Sequence, residues 1–343
     1  MSPPNASGAP GRRLSFLRLL WVIILLGILL LMFFHHGPPR PVARSPVTNA
    51  AGALSLADFT SAETHRWRTA PRGTQVCDGV TFVCQGAIRT AGWNAARDGN
   101  RYPGAVLGIP VNRSGARIHL LQAAENSLDA PDGTPYGRLM VHYANGETRR
   151  FELLLGVHGD DWLQGKHAPS DPVADPNSRV GWLQRRTGDG MWLRLYHSVL
   201  ENPLPNVTIA TVDFISPLSD PNLLLFGLTL DDDPRPLAAS YGPGESIEEA
   251  VSDAITFTLQ DATGRPMSGA TLTWHAQGRR ARIDFPPFPA DALGQATIEI
   301  PRRGVRAISY EASARDGSIT SGELKPEPSG VFPPRLVLKL TSP

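Results

Sequence analysis

Residues 139–162, LMVHYANGETRRFELLLGVHGDDW, alternate apolar and polar side chains on both sides of an Asn145-Gly146 pair, and that pattern commits this stretch to a β-hairpin. The loop length decides the register. A two-residue loop sets Val141 opposite Arg150 and Leu139 opposite Glu152. A loop that also takes in Glu147 sets Val141 against Phe151, Leu139 against Leu153 and His142 against Arg150. Only the second arrangement makes one apolar face, so the reading is a three-residue loop with Gly146 in the left-handed region.

The rest of the chain follows the same rule of short alternating runs broken by turns. With 33 Gly and 32 Pro in 343 residues, the composition is that of a turn-rich β-protein, long enough for two folded units. The net charge is +1 and the basic residues are scattered. No stripe for neutralising phosphates stands out, so nucleic acid is not an expected partner.

Residues 1–18 carry Arg12, Arg13 and Arg18, no acid, and much Pro, Gly and Ser, and read as a disordered cytoplasmic tail. Residues 19–34 are apolar except for Gly27. With Phe16 and Leu17 the run reaches roughly 28 Å as a helix, about one hydrocarbon core, and Arg18 can snorkel to the headgroups. A cleaved signal peptide is the competing reading. The run is at the long end for that, and HHGPPRPVARS puts Pro and Arg where small residues are needed. The expectation is therefore an uncleaved single-pass anchor in the cell membrane. Arg40 and Arg44 nearly balance the three arginines before the span. The short tail inside and the large region outside the cytoplasm, periplasmic in a bacterium, is the preferred orientation. Residues 35–54 form a Pro/Ala-rich tether, and His35 and His36 are read as merely interfacial.

Residues 55–232 predict a jelly-roll β-sandwich. GVTFVCQ places Val80, Phe82 and Cys84 on one face; ARIHLL sets Ile118 and Leu120 against Arg117 and His119; MWLRLYHS sets Met191, Leu193 and Leu195 against Trp192, Arg194 and Tyr196. Residues 233–249 read as a linker. Residues 250–343 hold six or seven short strands, a smaller immunoglobulin- or transthyretin-like sandwich. The fold class expected is thus all-β: an N-terminal transmembrane helix and two sandwiches.

The strings YPGAVLGIPVNRSGARIHLLQAAEN, LMVHYANGE, LLLGVHGDDW and LRLYHSVLENPLPNVTIATVDFIS, in that order, resemble a galactose-binding-like β-sandwich of anchored and surface proteins in Verrucomicrobia and Planctomycetes. The function of that family is mostly unassigned. Where it tends to have Asp before the hairpin Gly and a doubled Trp after the acidic pair, this chain has Asn145 and Trp162-Leu163. Those departures weaken any transfer of a ligand site. DATGRPMSGATLTW, DALGQATIEIP and ARDGS resemble the carboxypeptidase regulatory-like, transthyretin-type module, which implies a non-catalytic sandwich.

Aromatic rings beside carboxylates are how many sandwiches hold sugars. Trp67, Trp93, Trp162, Trp182 and Trp192 fall in the larger region with Tyr143 and Tyr196. Trp162 and Trp93 sit among loop-forming residues and are the expected exposed rings. The candidate ligand-binding set is Trp162, Asp161, His158, Trp93 and Tyr143. His158, Asp160 and Asp161 also suit acid-base work or a solvated loop. Asp231, Asp232 and Asp233 offer oxygens to calcium, or simply begin an acidic linker; no other cofactor is expected. Cys77 and Cys84 are the only cysteines. One extended strand would hold them apart and a turn at Asp78-Gly79 would allow a disulfide, so both outcomes stay open. HExxH, GxSxG and phosphate-loop patterns are missing. The function expected is a membrane-anchored, non-catalytic binding protein for a glycan or an envelope protein. The alternatives are a glycoside hydrolase acting on cell-surface polysaccharide through Asp160 or Asp161, and a structural envelope component.

Overall fold

The computed structural model of the chain describes residues 52–61, 69–127, 130–164, 173–186, 188–233, 252–301 and 304–341. The tail, the apolar run 19–34, nearly all of the tether, the linker beyond Asp233, and Trp67 lie outside them. Among the described residues no helix is long and apolar enough to cross a membrane. Residues Pro46–Pro343 form one compact unit. It is built of β-sheets, with a five-residue helix at Trp93–Arg97.

The first twelve strands are β1 (Gly73–Cys77), β2 (Val80–Cys84), β3 (Ile88–Arg89), β4 (Ala105–Arg113), β5 (Arg117–Glu125), β6 (Pro135–Tyr143), β7 (Thr148–Leu154), β8 (Leu163–Gln164), β9 (Ser178–Arg185), β10 (Trp192–Glu201), β11 (Ile209–Ile215) and β12 (Asn222–Asp231). A six-stranded sheet runs β3-β12-β5-β10-β8 with β9 also on β10, and a four-stranded sheet runs β4-β11-β6-β7. They face each other across a core that includes Ile118, Leu120, Leu139, Val141, Phe214 and Leu228. Each fully buried side chain of this kind contributes about 1.5–3 kcal/mol.

Strands β5 and β12 are buried on both faces, which is why LLLFGLTL reads as a nearly unbroken apolar run. The outer face of the six-stranded sheet is covered by a separate two-stranded hairpin, β1-β2. Cys77, Phe82 and Cys84 from the hairpin pack there on Leu121, Leu195, Leu224 and Phe226. This second layer changes the meaning of strand β10. The face carrying Leu195 lies under the hairpin, while Arg194 and Tyr196 point into the sandwich and are fully buried.

The β6–β7 hairpin has the three-residue loop, with Gly146 at φ +88°, but in a different register from the expected one. Leu139 pairs with Phe151, Val141 with Arg149 and His142 with Thr148. The loop is Ala144-Asn145-Gly146, closed by the Tyr143 N–H to Glu147 O at 2.9 Å. Alternation fixes which residues share a face, and a slip of two leaves that set unchanged, so it cannot choose between these registers. The local turn chooses: Asn145 Oδ1 accepts the Glu147 N–H at 3.0 Å.

The remaining strands are β13 (Ser252–Gln260), β14 (Thr271–Gln277), β15 (Arg282–Asp284), β16 (Phe288–Pro289), β17 (Gln295–Pro301), β18 (Ala307–Ser313), β19 (Ile319–Leu324) and β20 (Arg335–Lys339). They make a sheet β17-β13-β20 and a sheet β15-β14-β18-β19, with β16 also on β14. Two of the loops that cross between these sheets repeat one device. Asp261 accepts the N–H groups of Thr263 and Arg265, and Asp291 those of Leu293 and Gln295, ahead of left-handed Gly264 and Gly294. The core of this sandwich also takes in Ala91, Trp93, Ala105 and Leu218 from the first. A Cβ on Gly278 or Gly304 would lie 2.8 or 3.0 Å from the Trp93 ring. Glu299 of β17 receives Arg138 at 3.1 Å and Arg150 at 2.6 Å. The two sandwiches are therefore packed together as one body.

The two cysteines are free thiols. The Asp78-Gly79 turn is present, with both residues at positive φ, but it pairs Cys77 with Val80 and leaves Cys84 opposite Gly73 at the far end. That separates them by roughly 13 Å along the strands, about twice the reach of a disulfide. Burial pushes each thiol up to about 12. Alkylation at pH 8 should therefore label neither cysteine in the native chain and both after denaturation, as counted by intact mass.

Candidate functional site

Strands β5 and β10 are hydrogen-bonded neighbours, with Val199 opposite His119 and His197 opposite Leu121. This register puts the two histidines diagonally on the outer face, under the β1–β2 hairpin. Each is 2% exposed. The ring nitrogens His119 Nδ1 and His197 Nε2 are 2.9 Å apart. Phe82 lies edge-on to the His197 ring at 5.3 Å.

A carboxylate stands at each end of the pair. His197 Nδ1 is 3.1 Å from Asp78 Oδ2, and Arg179 Nε reaches the same oxygen at 2.6 Å. His119 Nε2 is 2.9 Å from Asp231 Oδ2, short but poorly aligned. Arg117 holds Asp233 at 3.1 Å. Burial raises the Asp78 carboxyl, but the hydrogen bonds from His197 and Arg179 outweigh it and leave the group below its ordinary value. Asp231 behaves alike: burial raises it, and His119, the Asp233 N–H and Arg117 bring it below the usual carboxylate range. For His197, burial is the largest influence and lowers the imidazole.

These groups line a cleft of about 760 Å³ between the hairpin turn and the end of β12, which Arg113 and Asp232 also border. The guanidinium groups of Arg113, Arg117 and Arg179 and the carboxylates of Asp78, Asp231, Asp232 and Asp233 line it together. Such a wall offers donors and acceptors side by side, as a polyhydroxylated ligand requires. The Asp231–Asp233 run expected as a possible calcium ligand is split: Asp231 turns to His119 and Asp233 to Arg117. Among the described residues no three His, Cys, Asp or Glu side chains converge as metal ligands.

The candidates read from the sequence lie elsewhere. His158, Asp160 and Asp161 cluster as expected, but in structural contacts. His158 Nδ1 accepts the Leu154 N–H at 3.0 Å, and burial lowers its imidazole against the pull of Asp175. Asp160 pairs at 2.6 Å with Arg194, whose side chain is 0% exposed. Asp161 Oδ2 accepts the backbone N–H and hydroxyl of Ser127 at 2.9 and 2.7 Å, and its Oδ1 accepts the Leu163 N–H at 2.9 Å.

Trp93 does not have the exposure expected of it: the helix start buries it to 7% between the two sandwiches. Tyr143 is 3% exposed and donates its hydroxyl to Asn202. Trp162 is half-buried against the hairpin layer, as is Trp182. His119, His197, Asp78 and Arg179 were not singled out by sequence. His119, His197 and Arg179 sit in ordinary alternating runs, and only the Asp78-Gly79 turn signal hinted that this stretch folds back on itself.

No protein-family profile matches the chain, and no curated protein does. Similar solved structures include the catechol 1,2-dioxygenase of Acinetobacter sp. ADP1, at 14% identity over 29% of this chain and 55% of that one, TM-score 0.20. A pilus adhesin of Streptococcus pneumoniae shares 12% identity over 64% of this chain and 29% of its own, TM-score 0.20. The pilus 2b backbone protein of group B streptococcus shares 8% over 79% and 95%, TM-score 0.20. The chain spans little more than half of the dioxygenase and under a third of the adhesin, and likeness at these TM-scores is too slight to bear on function.

Proposed function

We propose that this chain is a non-catalytic binding protein of the bacterial envelope, anchored by residues 19–34 with its sandwiches outside the cytoplasm. The cleft beneath the β1–β2 hairpin receives a polyhydroxylated ligand, a glycan, and the second sandwich serves as spacer. In this reading the first sandwich is a galactose-binding-like jelly roll and the second a transthyretin-type module. The observation that carries the proposal is the cleft wall itself. Arg179 with Asp78 and Arg117 with Asp233 are already paired along it, so these groups meet a ligand with little ordering still to be done. Asp160 and Asp161, the acids of the hydrolase alternative, are engaged by Arg194, Ser127 and Leu163.

Titration of the full chain in detergent with a panel of bacterial and plant polysaccharides, read by intrinsic tryptophan fluorescence, tests it. Trp182 packs against the layer that floors the cleft and supplies the signal. Arg179 is 57% exposed, and Asp78 keeps its contact with His197 when Arg179 is removed. Arg179→Ala should weaken binding by about tenfold or more, the loss of one or two charge-assisted hydrogen bonds. Binding that ignores Arg179→Ala but falls with Trp162→Ala would place the ligand on the aromatic edge instead. No response to any polysaccharide would move the reading to an envelope protein partner, and release of reducing ends would move it to an enzyme.

A further inference from the structure

We infer that His119 and His197 together hold three protons on their four ring nitrogens, one more than two neutral imidazoles carry, and that this proton latches the β1–β2 hairpin over the cleft. The count follows from the contacts. His197 Nδ1 faces a carboxylate oxygen at 3.1 Å and so carries a hydrogen. A neutral ring then leaves Nε2 bare, and the 2.9 Å approach of His119 Nδ1 needs its hydrogen on His119. That in turn would leave His119 Nε2 bare, although it faces Asp231 Oδ2 at 2.9 Å from a side chain 3% exposed. Two lone pairs at this distance, one on an anion and the other, on His119, closed to water, repel each other. A proton on Nε2 turns the contact into an attraction. A fourth proton does not fit, because it would set N–H against N–H between the rings.

The surroundings agree with a charge at the His119 end. Asp231 stands on that side, with Arg117 and Arg113 farther along the cleft. On the other side Arg179 shares Asp78 with His197, and burial together with His119 and Arg179 disfavours a second positive ring there. Phe82, Thr81 and Thr229 complete the enclosure without charge.

The mechanical link is Asp78. It occupies the hairpin turn at φ +52°, and its contacts with His197 and Arg179 tie that turn to the sandwich, alongside the Thr229 hydroxyl to Thr81 O at 2.6 Å. As pH rises and the third proton leaves, either the ring–ring contact or the Asp231 contact loses its hydrogen. The rings separate, and the turn moves with His197. The latch is a property of the chain with or without a ligand; its effect on uptake rests on the cleft being the binding site.

Full-length chain labelled with [15N]histidine, titrated from pH 5 to 9 by NMR, tests the proton. Hydrogen exchange of the β1 and β2 amides, corrected for intrinsic rates and referred to the four-stranded sheet, tests the latch. The expected result is a singly protonated His197 throughout and a His119 imidazolium that releases its proton at least one pH unit earlier in Asp231→Asn. The hairpin should open at least tenfold more often over the interval in which that proton leaves. Unchanged signals from the other histidines would establish that the variant is folded. Should Asp231→Asn fail to fold, the wild-type chain alone decides. Two neutral rings across the whole range, two rings titrating independently, or hairpin exchange indifferent to the titration would each overturn the inference. No polysaccharide takes part, so its failure and that of the binding proposal are told apart.

Discussion

Replacing Phe82 with alanine is expected to detach the β1–β2 hairpin from an otherwise folded chain. The ring is fully buried, and the hollow it fills exists because residue 227 has no side chain: a Cβ there would sit 2.8 Å from the ring. Removing a buried Phe costs about 3–5 kcal/mol. The loss falls on one small element. Among the described residues β1 and β2 pair only with each other, and a two-stranded hairpin is marginally stable by itself. What holds it is the packing of Cys77, Phe82 and Cys84, the Thr229–Thr81 hydrogen bond and the Asp78 contacts. The two thiols, closed to alkylation in the parent chain, then report the detachment, since both should react at pH 8 well before the tryptophan-monitored unfolding of the sandwiches. Gly227→Ala should act in the same direction by lifting the ring. Cysteines that stay protected in Phe82→Ala would mean that the hairpin is held by something other than this layer.

The same layer explains what the sequence made legible. Val80, Phe82 and Cys84 were read onto one face and lie on one face, because period-two alternation is a local property of a strand. Local alternation does not reveal how many layers a sheet supports. In β10 the leucines were the natural choice for the core and Arg194 for solvent, yet both faces are buried, one by the opposite sheet and one by the hairpin. The cleft was hidden for a related reason. His119 and His197 are 78 residues apart, and what joins them is the register of β5 on β10, a long-range fact with no short-range trace. The loop acids were visible because Gly and Asp mark turns. Their engagement by Arg194, Ser127 and Leu163 was not, since each partner comes from the tertiary fold or from backbone geometry.

Asp160→Ala is expected to destabilise the chain by about 3–5 kcal/mol, the cost of leaving a buried charge without its partner. Arg194 has no exposed surface. Its Nη2 meets Asp160 Oδ2 at 2.6 Å, and its Nε donates to the Asp161 carbonyl at 3.0 Å. With the carboxylate gone, only the Asp161 carbonyl and the Tyr196 ring, 5.3 Å from Cζ, are left facing the guanidinium. The converse pairing gives the discriminating experiment. Arg194→Met removes the charge together with the need for a counter-ion, so Asp160→Ala combined with Arg194→Met should recover most of the stability that Asp160→Ala loses. Denaturant unfolding of the parent, both single variants and the double variant measures the coupling. A loss below about 1 kcal/mol for Asp160→Ala would show that the pair behaves as a surface contact. The outcome also bears on function. If Asp160 acts only by neutralising Arg194, the double variant should bind polysaccharide as the parent does, whereas a carboxylate that touches ligand stays missing when the fold is restored.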